Sequence, residues 1–136
     1  MKKVIGIDYG DQRIGIAISD PLQIIASPLK VINCIGEQQI FNEIKNITDS
    51  YNIDTIAVGL PLTLKGTHSK QTEKTIKFIE NLKKNINVSI KTVDERMTSK
   101  EAEKILIQKG VKTGHNKSQI DLTAAVIILQ EYLDSK

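Results

Sequence analysis

The feature that most constrains the fold is a change of period along the chain. The first 33 residues carry three extended runs, "VIGIDY", "RIGIAISD" and "QIIASPLKVIN". The first two are joined only by "GDQ", short enough for a hairpin. From there the period is helical. Ile40, Phe41, Ile44, Ile47 and Tyr51 recur on one face of "EQQIFNEIKNITDSYN", as do Ile76, Ile79 and Leu82 in "SKQTEKTIKFIENLKK". Between and after them lie two compact strand candidates, "IDTIAVGLP" and "NVSIKTVDE". Two more helical segments close the chain: "SKEAEKILIQKG", stopped by Gly110, and "KSQIDLTAAVIILQEYL".

The predicted order is β-β-β-α-β-α-β-α-α. Short links make the first three strands an antiparallel meander, and helices of this length between strands imply parallel crossovers. Pro28 disfavours a fully paired central position for the third strand. The consistent architecture is α/β: a mixed five-stranded sheet, three antiparallel strands then two parallel, flanked by helices. This arrangement resembles the ribonuclease H-like fold. With 136 residues the chain is expected to form one domain over 1–136.

No segment approaches the ~20 uninterrupted apolar residues of a membrane span. Asp8 interrupts the opening apolar run before it can serve as a signal sequence, so a cytoplasmic protein is expected. A single cysteine, Cys34, excludes an internal disulfide and a cysteine metal cluster, and His68 and His115 are too isolated for a zinc site. The formal charge of +3 permits a polyanionic partner without demanding one. Of 19 basic residues only Arg13 and Arg96 are arginine, the side chain whose rigid fork suits carboxylates and phosphates, and each lies close to acids singled out below.

Three acidic positions occupy places unusual for a solvated charge. Asp8 sits inside an apolar strand, where the plain alternative is a turn cap. Asp94 and Glu95 end the last strand, and alternation sends adjacent side chains to opposite faces, so only one of the two can join Asp8. Asp121 enters a helix apolar on almost every side, where burial of an unpaired carboxylate costs more than the helix dipole returns. A final helix packed across the sheet can bring Asp121 over the carboxyl end of the first strand. Clustered carboxylates need cations between them. Hard divalent ions, Mg²⁺ or Mn²⁺, are the natural partners, and two of them about 3.5–4 Å apart can activate water and stabilise the leaving oxygen of a phosphodiester.

At these residues the chain resembles a known family. "GIDYGDQRIGIAISD", "VGLPLTLKGTHSKQT", "VDERMTSKEAE" and "KSQIDLTAAVIILQEYL" are similar, in order, to the signature segments of the YqgF family, also called RuvX. The resemblance implies an RNase H-like nuclease, related to Holliday junction resolvases, that acts in the cytoplasm on the 5′ end of the 16S rRNA precursor. It implies Asp8, Glu95 and Asp121 as the catalytic acids, and prefers Glu95 to Asp94; that these three bind the metal follows from the cluster and the fold. Around them, chemistry suggests supporting roles. Arg13 and Arg96 either contact phosphates or neutralise the acidic cluster. Ser69 and Gln71 lie at the start of a helix whose amino end suits phosphate, with a plain helix cap as the alternative. Lys112 and Lys117, in "GVKTGHNKS", suit a substrate clamp or a solvated connector.

Two other classes compete. An actin-like or sugar-kinase ATPase also begins "GIDxG", but it needs a second domain that this length does not provide. A nucleic-acid-binding assembly factor would do without the acids; five aromatic residues are few for a stacking-based single-strand binder. Within the nuclease reading, precursor rRNA is favoured and branched DNA is the alternative. A junction resolvase would be a symmetric dimer, and monomer and homodimer both remain open.

Overall fold

The computed structural model describes residues 2–63, 65–94 and 117–136, the side chains of 117–119 excepted. A five-stranded sheet is built from β1 (Lys3–Tyr9), β2 (Arg13–Ser19), β3 (Ala26–Asn33), β4 (Ile53–Leu60) and β5 (Ser89–Asp94), in the order β3-β2-β1-β4-β5. β1 pairs antiparallel with β2 and β2 with β3, whereas β4 runs parallel to β1 and β5 parallel to β4. The expected mixed sheet is therefore present. β1 is its centre, and β5 lies at the edge with β4 between them. The helices are α1 (Glu37–Ser50), α2 (Lys70–Asn85) and α3 (Lys117–Asp134). The helix expected over 99–110 lies outside the described residues.

β3 is the other edge strand, which is where Pro28 can sit without breaking a central ladder, and its register shifts beside that residue. It is also shorter than expected. Residues 20–25 form a turn, because Asp20 Oδ1 accepts hydrogen bonds from Ile24 N (2.7 Å) and Ile25 N (2.8 Å). These two bonds hold the Asp20 carboxyl below its ordinary range.

The two faces of the sheet are filled differently. On one face, Ile5 and Ile7 of β1, Ile14 and Ile16 of β2, and Ile56 and Val58 of β4 meet Ile44 of α1 and Leu82 of α2 in the main core. Each of these side chains is essentially inaccessible to water. On the other face, Val4 and Ala17 meet Ala125, Leu129 and Leu133 of α3.

Helix α3 lies close because glycines face it. A Cβ on Gly6 would come within 2.6 Å of Leu129 Cβ, and one on Gly15 within 2.3 Å of the Asp121 carbonyl oxygen. Gln130 pins the far end of the helix: its Oε1 accepts from Ala26 N (3.0 Å) and its Nε2 donates to Ile24 O (2.9 Å). With about 1.5 Å of rise per residue, this contact sets where Asp121 falls along β2.

Candidate active site

Alternation along β1 sends Ile5 and Ile7 into the main core and Val4, Gly6 and Asp8 to the α3 face. Asp8 therefore sits one residue from the end of an apolar strand with its carboxylate directed away from the core. Its cross-strand partner is Gly15, the residue on which the backbone of Asp121 rests. The hairpin and the helix together bring Asp8 and Asp121 to the same end of the same face. Only a residue without a side chain at position 15 permits that approach.

Arg13 closes the arrangement. It begins β2, and its Nε donates to Asp121 Oδ2 at 2.9 Å, with both side chains about one-quarter exposed. Arg13 is thus paired with one of the acids singled out in the sequence. A depression of about 270 Å³ over Gly10, Asp11, Gln12, Arg13 and Asp121 opens this corner to solvent.

Asp94 is set apart. It pairs with Leu60, continuing the pairings Ile56–Ile90 and Val58–Thr92, so the register puts it on the α1/α2 face rather than the α3 face. Glu95, Arg96 and Lys112 lie outside the described residues, and of Lys117 only the backbone, at the start of α3, is described.

At α2, Ser69 is the N-cap: its Oγ accepts from Thr72 N at 3.2 Å. Gln71 Nε2 donates to the Tyr9 carbonyl at 3.5 Å, which sets the amino end of α2 beside the carboxyl end of β1. The turn before it is held by Thr63 N to Thr67 O (3.0 Å) and by the Thr72 hydroxyl on Pro61 O.

Among the described residues, no three His, Cys, Asp or Glu side chains converge as a metal site. Two hard-oxygen donors, Asp8 and Asp121, do share one end of the α3 face, and the Arg13 guanidinium rests on one of them as a cation would. That donor set fits Mg²⁺ or Mn²⁺ in kind. Sequence reasoning singled out Asp8, Arg13 and Asp121 but missed Gly15 and Gln130, which position them. A glycine in a β-branched strand signals a close approach. Gln130 carries no comparable signal.

The model of the family described as "RuvX: Holliday junction resolvase" matches residues 2–135. A relative from Sulfurihydrogenibium sp., named "Putative pre-16S rRNA nuclease", is 44% identical over 136 residues, covering 98% of this chain and 91% of the relative. The chain belongs to the RuvX family. A second relative of the same name, from Desulforamulus reducens, is 44% identical over 133 residues, covering 98% of this chain and 97% of the relative. Among solved structures, the Fowlpox virus resolvase bound to Holliday junction DNA superposes with a TM-score of 0.60 at 15% identity, covering 98% of this chain and 97% of that one. Thermus thermophilus RuvC with its junction substrate gives 0.57 at 14%, covering 99% and 95%. The five-stranded sheet and its helices are thus the RNase H-like fold of these resolvases. No described helix is long and apolar enough to cross a membrane.

Proposed function

We propose that this RuvX-family nuclease hydrolyses phosphodiester bonds at the 5′ end of precursor 16S rRNA in the cytoplasm, with Asp8, Glu95 and Asp121 holding two Mg²⁺ or Mn²⁺ ions. The observation that carries this reading is the corner at Gly15. There Asp121 is lowered onto the strand pair that ends in Asp8, and Arg13, 108 residues away in sequence, is bound to it. Asp94 lies on the opposite face by register, which supports Glu95 as the third acid.

When bound, the metal would polarise the attacking water and stabilise charge on the phosphate oxygens. Asp8, from a strand, and Asp121, from a helix, would hold the metal. Arg13 fixes the Asp121 carboxylate and adds positive charge at the rim where a phosphate enters. Arg96, Lys112 and Lys117 hold flanking phosphates. Ser69 shapes the amino end of α2, and Gln71 keeps it beside the site, where its backbone dipoles favour the same anion.

The names of the relatives, borne at 40–44% identity over nearly their full length, favour precursor rRNA. The description of the family model favours a second reading, cleavage of branched DNA. Cutting one strand needs one site, whereas resolving a junction needs two related by symmetry. Cleavage of a 16S 5′-leader RNA and of a four-way DNA junction, with Mg²⁺ or Mn²⁺ titrated and the mass in solution measured, separates them. RNA cut by a monomer is the expected result. Junction cleavage by a dimer with intact RNA would establish the second reading, and cleavage of neither would remove both.

A further inference from the structure

The carboxyl edge of β1 carries a second feature on its α1/α2 face. Tyr9 follows Asp8 and points the other way, packing against the main core. Its ring stacks on Phe78 with centroids 4.4 Å apart and planes 20° off parallel, and Phe41 lies 6.1 Å beyond Phe78. These rings line a cavity of about 360 Å³ between α2 and the β3–α1 turn. At its mouth Ile35 is 85% exposed, which is unusual for a residue in a segment tied down on both sides. Gln39 Oε1 accepts from Ile35 N (3.1 Å) and Gly36 N (3.3 Å), and Cys34 N donates to Gln12 O (2.9 Å).

The polar groups around the cavity are mixed. Lys74 and Lys77, one turn apart on α2, stand on one side. Asn81, one turn further along the same helix, faces Glu37 at the start of α1, its Nδ2 donating to Glu37 Oε1 at 3.1 Å. Lys74 Nζ also reaches Asp11 Oδ2 at 3.2 Å, and Asp11 lines the depression over Arg13 and Asp121. The cavity and the candidate active site therefore meet at the β1–β2 loop, one on each face of the sheet.

An aromatic and aliphatic lining with a carboxylate–amide pair suits the flat face and polar edge of a nucleobase, and two lysines suit its phosphate. A buried apolar peptide side chain would use the rings but not the lysines. We propose that this cavity binds one unpaired nucleotide of the substrate strand next to the cleaved phosphate, the base against Tyr9 and Ile35 and the phosphate on Lys74 and Lys77. This subsite rests on the nuclease reading and extends it: it makes the preferred substrate a single strand whose flanking base is free to unstack.

The test is abasic scanning. Single-stranded leader RNAs, each with one abasic ribose near the cut, are bound to wild type and to Ile35→Glu and Lys77→Glu variants in EDTA. Both residues are exposed, and the thermal midpoint of each variant checks that it is folded. Binding is read without metal, so failure of the cleavage reading leaves this measurement intact. One abasic position is expected to weaken wild-type binding by roughly tenfold, the scale of losing one base contact. Ile35→Glu is expected to cause a similar loss on intact RNA and no further loss on that abasic RNA. Lys77→Glu is expected to weaken binding to every RNA. Intact RNA bound equally by wild type and Ile35→Glu, or equal losses in the variant at every abasic position, would overturn the proposal.

Discussion

The two faces of the sheet solve different problems. The α1/α2 face is thick: isoleucines from β1, β2 and β4 interlock with Ile44, Phe78 and Leu82, with no charged side chain among the described buried residues. The α3 face is thin, with Val4, Ala17, Ala125, Leu129 and Leu133 as its buried cluster and glycines at positions 6 and 15. Burying a large aliphatic side chain contributes about 1.5–3 kcal/mol, so most of the stabilisation lies on the first face. Thinning the second lets a helix descend until Asp121 meets Gly15, the cross-strand partner of Asp8. One face supplies stability so that the other can carry charge.

That contrast can be broken first on the thick face. Leu82→Ala leaves a cavity under fully buried isoleucines and is expected to cost about 2–5 kcal/mol in denaturant unfolding. The cleavage rate per folded molecule should hardly change. A large fall in that rate would mean that the two faces are not separable.

Next comes Gly15→Ala, on the thin face. The new methyl would meet the backbone oxygen of Asp121, which cannot move without α3. A loss of about 1–3 kcal/mol in stability is expected. Unlike Leu82→Ala, it should also reduce cleavage in the molecules that remain folded. Retained full activity would show that the close approach of Asp121 is dispensable.

Gln130→Ala removes the two hydrogen bonds that tie α3 to the start of β3 and is expected to cost about 1 kcal/mol, read from the thermal midpoint. The smallest effect is expected at the adjoining turn. Asp20→Ala removes the acceptor for Ile24 N and Ile25 N. The folded-state pKa of Asp20 is lowered below its usual 3.8 by those bonds, so their stabilisation is present above that value and lost as pH falls through the folded one. The gap in thermal midpoint between wild type and Asp20→Ala should hold at neutral pH and shrink below pH about 4.

Much of this was legible in the sequence because the signals are local and periodic. The change from period 2 to period 3.6 marked strands and helices, and Pro28 marked an edge. Asp8 and Asp121 stood out because a charge in an apolar run demands an explanation. What was not legible depends on contacts between distant segments. The Arg13–Asp121 pair joins β2 to α3, and the Gln130 bonds reach back to residues 24 and 26. The late start of β3 had a different cause: Asp20 offers the backbone of 24 and 25 an alternative to the ladder, which hydropathy does not register.

The most direct measurement concerns Asp121. Cleavage and binding of a 5′-leader RNA are compared for wild type and Asp121→Asn across a Mn²⁺ titration. The substitution keeps the shape of the side chain and removes the charge that pairs with Arg13. Wild-type cleavage that rises with metal, a variant rate lower by about 10²–10³-fold, and RNA binding equal in EDTA are the predicted results. A variant that cuts at the wild-type rate, with the same metal dependence, would contradict the assignment of Asp8 and Asp121 as the heart of the site.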